Sequence, residues 1–338
     1  LNVALRQLSR MNEAIDFSFK VLQKSYSLDF GGAGPPRLVM EDEREGRLGG
    51  QILVDVLEDE ADIPGISSGG RGGVIFICVK WGKKYDADYV NAIYYALRRH
   101  WTRNNEGVRL ICLTDDPSGV ASEVECKSFP PAAINGRWRA WWLKACIFSS
   151  ALMEELGVKR HGSWVFYLDL DTVVCGNLDI LESKRDIVDW KRLQHSIICT
   201  FGTAMFSNEE REGGINSSVL LWYEPPSAAS SADQSLSRLF DLLERHYSEI
   251  VRVVYKFDHF LEMFLARLSI RVFRLEYALP SSFVDYYKVI SHENVGDNST
   301  LATVKREVSA EIVCFPLEPK PKAVLGKCQW IRDYFKKE

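Results

Sequence analysis

Three short apolar runs, separated by amphipathic stretches, constrain the fold of this chain more than any other feature. Val74 to Val79, Val108 to Leu113 and Trp164 to Leu168 are nearly unbroken in apolar residues, as strands covered on both faces are. Between the first two, Val90, Ile93, Tyr94, Leu97 and Trp101 recur at helical spacing. Between the second and third, Trp138, Trp142, Ala145, Leu152 and Leu156 do the same and predict one amphipathic helix. Alternating strands and helices specify an α/β fold, a parallel sheet with helices packed on it. In such sheets ligands bind beyond the carboxyl ends of the strands. Those ends carry Lys80-Trp81-Gly82, Thr114-Asp115-Asp116 and Asp169-Leu170-Asp171.

The chain on either side of this stretch reads differently. Residues 1–73 hold two glycine-rich patches around an acidic stretch, a composition that favours flexible backbone over packing. They are expected to form a variable, partly disordered extension with a short helix near residues 3–24, and the folded domain is expected over 74–338. After the acidic pair, Ile197 to Phe206 and Ile215 to Trp222 read as strands. Leu236, Leu239, Phe240, Leu243, Tyr247 and Ile250 mark a helix, Phe260 to Leu268 a second, and Glu311 to Phe315 a late strand. No internal repeat is visible.

Composition removes several function classes. A net charge of -4 with no basic run argues against nucleic acid and anionic membranes as partners. No stretch is long and apolar enough for a membrane span. The eight cysteines contain no CxxC pair and several sit in apolar runs, which fits buried thiols better than disulfides or a zinc site. A reducing compartment such as the cytoplasm is therefore expected, with the Golgi lumen the alternative should an anchor precede Leu1. Neither a G-x-G-x-x-G after the first strand nor a P-loop is present.

The chemistry concentrates in Asp169 and Asp171. Where a strand ends and the chain turns, two carboxylates two residues apart can converge on one hard cation. They leave coordination positions free for phosphate oxygens, which suits Mg²⁺ or Mn²⁺. Such a cation would neutralise charge on a leaving diphosphate. The competing reading is a loop carboxylate that caps a turn. The position of the pair directly after Trp164 to Leu168 favours function.

Around this pair the sequence resembles the GT-A fold glycosyltransferases with a D-x-D motif, in particular the glycogenin-like and bacterial lipopolysaccharide galactosyltransferase relatives. Tyr167-Leu168-Asp169-Leu170-Asp171-Thr172-Val173-Val174 followed by Gly176-Asn177-Leu178 is similar to their D-x-D segment. Trp81 to Tyr85, Trp141 to Lys144, Gly214 to Trp222, Phe257-Asp258-His259 and Pro319-Lys320-Pro321 follow in the family's order. The likeness covers about residues 74–335.

The resemblance implies a Rossmann-like GT-A sandwich and transfer of a hexose from a nucleoside diphosphate sugar, UDP-linked, with retention at the anomeric carbon. The partners it implies are that donor and a glycan, lipid or protein acceptor. It implies Asp171 as metal ligand and Asp169 as ligand of the metal or ribose. Lys144 would approach the diphosphate or sugar, Asn216 would hydrogen-bond the transferred sugar, and Asp258 would do so or position the acceptor. Lys320 would bind a phosphate, and Tyr85 would stack on the base. Asp115 reads equally as a nucleotide contact and as a plain turn residue.

Two departures from the family pattern stand out. Where the family often has a histidine as third metal ligand, this chain has Cys314-Phe315-Pro316-Leu317-Glu318, and of these only Glu318 suits a hard cation. His259 stands where glutamine is common, beside the reacting centre. Trp141 and Trp142 read as core more than as sugar platforms. Two rivals are weighed: a haloacid dehalogenase-type phosphohydrolase, whose D-x-D-x-[TV] motif Asp169 to Val173 also fits, and an inactive sugar-nucleotide or glycan-binding protein.

Overall fold

The computed structural model describes residues 26–29, 37–40, 73–102, 107–179, 197–202, 214–227, 236–268, 270–278, 283–286 and 310–336. The chain divides into two units, Leu1–Gly70 with Ser248–Tyr255, and Arg71–Tyr247 with Lys256–Glu338. In the first, strands β1 (Tyr26–Asp29) and β2 (Arg37–Met40) pair antiparallel, with Tyr26 opposite Met40. The helix expected near residues 3–24 lies outside the described residues.

The second unit is built on the three apolar runs. They form β3 (Val74–Lys80), β4 (Leu110–Thr114) and β6 (Ser163–Leu168), all parallel, with β5 (Glu125–Lys127) beyond β4. On the far side lie β9 (Ile215–Glu224), β8 (Ile197–Gly202) and β10 (Arg271–Arg274). The order is β10-β8-β9-β6-β3-β4-β5, with β9 the one reversed strand of the seven. The expected mostly parallel sheet is thus what forms. Strands β5 and β10 were not expected from the sequence, being short and less apolar. Residues 203–206 of the expected strand lie outside the described residues.

A second, three-stranded sheet joins β7 (Thr172–Val174), β12 (Ile312–Cys314) and β11 (Phe283–Asp285). Three residues, Asp169 to Asp171, lie between the end of β6 and the start of β7, so the acidic segment is the turn between two sheets. Gly176 makes the junction tight: a Cβ there would sit 2.9 Å from Glu311 Cα.

Alternation along the strands divides the core into two layers. On one face, Phe76 and Cys78 of β3 and Phe166 and Leu168 of β6 pack with Val90, Ile93 and Leu97 of α1 (Ala87–His100). Asp86 caps α1 by accepting from the Asp88 backbone N–H at 3.2 Å. Helix α2 (Ser237–Val253) leaves helical geometry at His246, and α3 (Phe257–Leu265) follows it. On the opposite sheet face, Phe148 meets Trp222 with ring centres 5.2 Å apart, and Trp142 meets Phe260 of α3 at 5.8 Å. Each such aromatic contributes about 1.5–3 kcal/mol by leaving water. The last helix, α4 (Gln329–Tyr334), joins the α1 layer through Ile331 and Tyr334.

The single amphipathic helix expected over Trp138 to Leu156 is a correction. A short helix, Pro131–Asn135, stops before Gly136, and Arg137 and Ala140 then take left-handed backbone with φ of 51° and 53°. A 3₁₀ segment, Ala140–Phe148, follows, and after Ser149 a separate helix, Ser150–Glu155. Lys144 through Phe148 are buried one after another. A segment enclosed around its whole circumference has no polar stripe, so helical periodicity misread it. Trp142 is buried as expected, whereas Trp141 is 37% exposed.

Candidate active site

The turn after β6 builds the site. The Asp169 backbone N–H donates to Ser218 O at 2.8 Å, and Asp169 O accepts from Thr172 N at 3.1 Å and Thr172 Oγ1 at 2.5 Å. The strand therefore ends at Leu168, and Asp171 closes the turn before β7. Asp171 O accepts from Phe315 N at 3.1 Å, which fixes the C-terminal segment beside the turn.

Asp169 belongs to an inner cluster. Its Oδ2 accepts from Lys144 Nζ at 2.6 Å, and its Oδ1 accepts from the Tyr167 hydroxyl. Tyr167 lies two positions back on the same strand face, as period-two geometry requires. Lys144 Nζ also donates to Ser217 Oγ at 3.3 Å. Burial pushes the Asp169 carboxyl up and the Asp171 charge adds to this, while Lys144 opposes both. Burial acts against the Lys144 charge, but Asp169, Asp258 and Asp171 outweigh it and hold the ammonium above its ordinary range. The two remain an ion pair, because each charge is the other's main compensation.

Asp171 belongs to an outer cluster. Its Oδ2 accepts from Lys320 Nζ at 2.8 Å and from the Tyr85 hydroxyl at 2.8 Å. Lys320 Nζ also donates to Phe315 O at 2.6 Å. Burial, with the Asp171 charge, pushes the Tyr85 phenol well up. The Tyr85 ring is edge-to-face with Tyr89 at 5.0 Å.

A β-bulge brings the remaining groups in. Thr200 pairs with Leu220 but Phe201 pairs with Asn216, so Ser217, Ser218 and Val219 of β9 drop out of the ladder with β8. Thr200 Oγ1 spans this stretch through Asn216 O at 2.5 Å and Val219 O at 3.0 Å. Ser217 N donates to Asp258 Oδ1 at 3.0 Å, which ties the first turn of α3 to the site. Asn216 Oδ1 accepts from Ser218 N at 2.8 Å. His259, half-buried, follows Asp258 and is turned from it by about 100° around the helix.

At the neighbouring strand ends, Gly82 has φ of 60°, a conformation glycine adopts without strain, and its N–H donates to Asp115 Oδ2 at 3.0 Å. Lys80, buried, donates to Asp116 O at 2.9 Å. Asp115 thus joins the loops after β3 and β4.

Of the sequence candidates, Lys144 is bonded to Asp169 in the inner cluster and Tyr85 and Lys320 to Asp171 in the outer one, and Asp258 and Asn216 adjoin the inner cluster through the bulge. Asp115 stands at the end of β4, with β3 between it and β6. Sequence reasoning missed Tyr167 and Ser217 as partners. Tyr167 was findable from strand periodicity, Ser217 was not, because nothing in the sequence marks the bulge.

The fit to a divalent cation follows from these bonds. Asp169 and Asp171 offer hard carboxylate oxygens of the kind Mg²⁺ and Mn²⁺ prefer. Three of those four oxygens accept from lysine or tyrosine. Among the described residues no three His, Cys, Asp or Glu side chains converge as a ligand set. Cys314 is buried, its thiol pushed up by burial and by Asp171. Glu318 Oε2 accepts from the Lys320 backbone N–H at 3.2 Å. The donor chemistry therefore fits a cation that brings further oxygens with it, as one bound to a diphosphate does.

No protein-family model and no curated protein matches the sequence. Among solved structures, the chain is similar to the glycosyltransferase GlyE of Streptococcus pneumoniae TIGR4, with a TM-score of 0.44 and 14% identity over 79% of this chain. The match covers 61% of the GlyE chain, so this chain spans less than two thirds of its length. It is similar also to the galactosyltransferase LgtC in complex with donor and acceptor sugar analogues (TM-score 0.42, 10% identity, 78% of this chain and 95% of that one). Mouse xyloside xylosyltransferase 1 is a third (TM-score 0.41, 12% identity, 72% of this chain and 98% of that one). At this distance nothing about activity, donor or acceptor carries over from them to this chain.

Proposed function

We propose that this chain is a glycosyltransferase that moves a hexose from a nucleoside diphosphate sugar, UDP-linked, to an acceptor hydroxyl on a glycan, lipid or protein. The observation that carries this reading is the meeting of two carboxylates and two ammonium groups at the carboxyl end of β6. They come from chain segments far apart, Lys144, Asp169 with Asp171, and Lys320.

Asp169 and Asp171 would hold Mn²⁺ or Mg²⁺ with the donor diphosphate, and the ion, when bound, supplies charge neutralisation to the leaving group. Lys320 places a point charge where a phosphate oxygen would lie. Lys144, enclosed beside Asp169, fixes the carboxylate and presents positive charge to the developing anion. Asp258 and Asn216, on either side of the bulge, offer polar groups for sugar hydroxyls. The aromatic Tyr85 stands at the nucleotide side. On this reading the leaving diphosphate acts as base and the product keeps the donor's anomeric configuration. A reducing compartment such as the cytoplasm belongs to this reading, from the cysteine pattern of the sequence.

The test is a screen of nucleotide sugars with Mn²⁺, scored by released UDP or GDP with and without EDTA, and proton NMR of the product for its anomeric configuration. Release of nucleotide that EDTA abolishes is the expected result. No release from any donor would sink the reading, and binding of UDP without turnover would instead favour an inactive sugar-nucleotide binder. A haloacid dehalogenase-type phosphohydrolase is not favoured, since β3 and β4 precede the acidic strand in the sheet.

A further inference from the structure

The outer cluster contains a competition. Lys320 Nζ sits 2.8 Å from Asp171 Oδ2, and both side chains are largely enclosed, 13% and 15% exposed. Two ammonium groups face three carboxylates here, Asp169, Asp171 and Asp258, which leaves one net negative charge. A bare diphosphate entering this field is repelled. A bare divalent cation is attracted, but at Asp171 it meets an ammonium already seated. Displacing that ammonium strands it with the Phe315 carbonyl. If a diphosphate enters with the cation, the displaced ammonium gains a phosphate oxygen.

We infer that in the donor-free protein Lys320 occupies the cation's seat at Asp171 and yields it only when a diphosphate draws the ammonium away. The inference rests on the donor reading above. Lysine suits the task, being a compact charge on a flexible four-carbon stem with three donors. Two of those donors are used here, on Asp171 and Phe315. Lys144 cannot play this part, because it is enclosed between Asp169 and Ser217 under the bulge.

The test measures Mn²⁺ binding by the full chain, through loss of the free-ion electron paramagnetic resonance signal, with and without UDP. Wild type is expected to bind Mn²⁺ alone weakly and at least about tenfold more tightly with saturating UDP. Lys320→Gln, which removes the charge, should bind Mn²⁺ alone at least about tenfold more tightly than wild type, equivalent to about 1.4 kcal/mol. It should also bind UDP with Mn²⁺ less tightly. Lys320→Met serves as a second variant should the first not fold. Adding Asp171→Asn to either should remove the gain. Equal affinity for Mn²⁺ alone in wild type and both variants would overturn the inference. A gain in the variants without UDP binding by any of the proteins would leave Lys320 as the cation's competitor standing and overturn the donor reading, and with it the diphosphate's part in the exchange.

Discussion

The two halves of the acidic turn are built differently. Asp169 is held by the core: its partners Lys144 and Tyr167 lie on a buried 3₁₀ segment and on β6 itself, and Lys144 is bonded in turn to Ser217 in the bulge of β9. Asp171, two residues on, is held by the periphery. Its partners are Tyr85, in the loop after β3, and Lys320, on the C-terminal segment. The two pairs are about equally enclosed, but Lys144 is also tied to Ser217 of β9, whereas on the inference above Lys320 is the ammonium that changes partner. One turn thus joins a fixed carboxylate to an exchangeable one, a combination suited to a ligand that arrives and leaves.

Breaking the inner half should cost the most stability. Lys144→Met leaves Asp169 buried and unpaired, and the expected loss is about 3–5 kcal/mol in urea unfolding. A loss below about 1 kcal/mol would show that the inner half is no more fixed than the outer. Asp171→Asn should leave the far-UV circular dichroism spectrum unchanged while lowering metal-dependent nucleotide release by about 100-fold or more. Near-normal turnover would remove Asp171 from its assigned role.

Smaller changes sharpen the contrast. Tyr85→Phe deletes one hydrogen bond to a charged carboxylate that keeps Lys320, and is expected to cost about 1.5 kcal/mol or less. Gly82→Ala forces a side chain into left-handed backbone at φ of 60°, with an expected cost of about 1 kcal/mol by thermal melting. The pH dependence should be smallest of all. Burial opposes the Lys144 charge but its carboxylate neighbours raise its pKa. Its contribution is therefore complete below the ordinary lysine value of about 10.4 and lost as pH rises through the higher folded value. Wild type should lose stability above that point faster than Lys144→Met, and parallel curves would deny the ion pair.

Much of the sheet was legible because apolar runs with polar ends carry their own signal. Val74 to Val79 and Trp164 to Leu168 became β3 and β6, and Asp169 and Asp171 fell where such strands end. The segment around Lys144 was misread because a 3₁₀ stretch enclosed from Lys144 to Phe148 carries apolar residues at helix-like spacing without being a regular helix. Strands β5, β7, β10 and β11, none longer than four residues, are made by their neighbours more than by their own composition.

By itself the sequence determined an α/β sheet and put two carboxylates at the end of one of its strands, because alternation and apolar runs are local properties of the chain. Tertiary structure alone decided who meets those carboxylates. Lys144 lies 25 residues before Asp169 and Lys320 lies 149 after Asp171. Whether an ammonium reaches a carboxylate across such a span depends on a bulge, a turn and a packed segment, none of which a local pattern encodes.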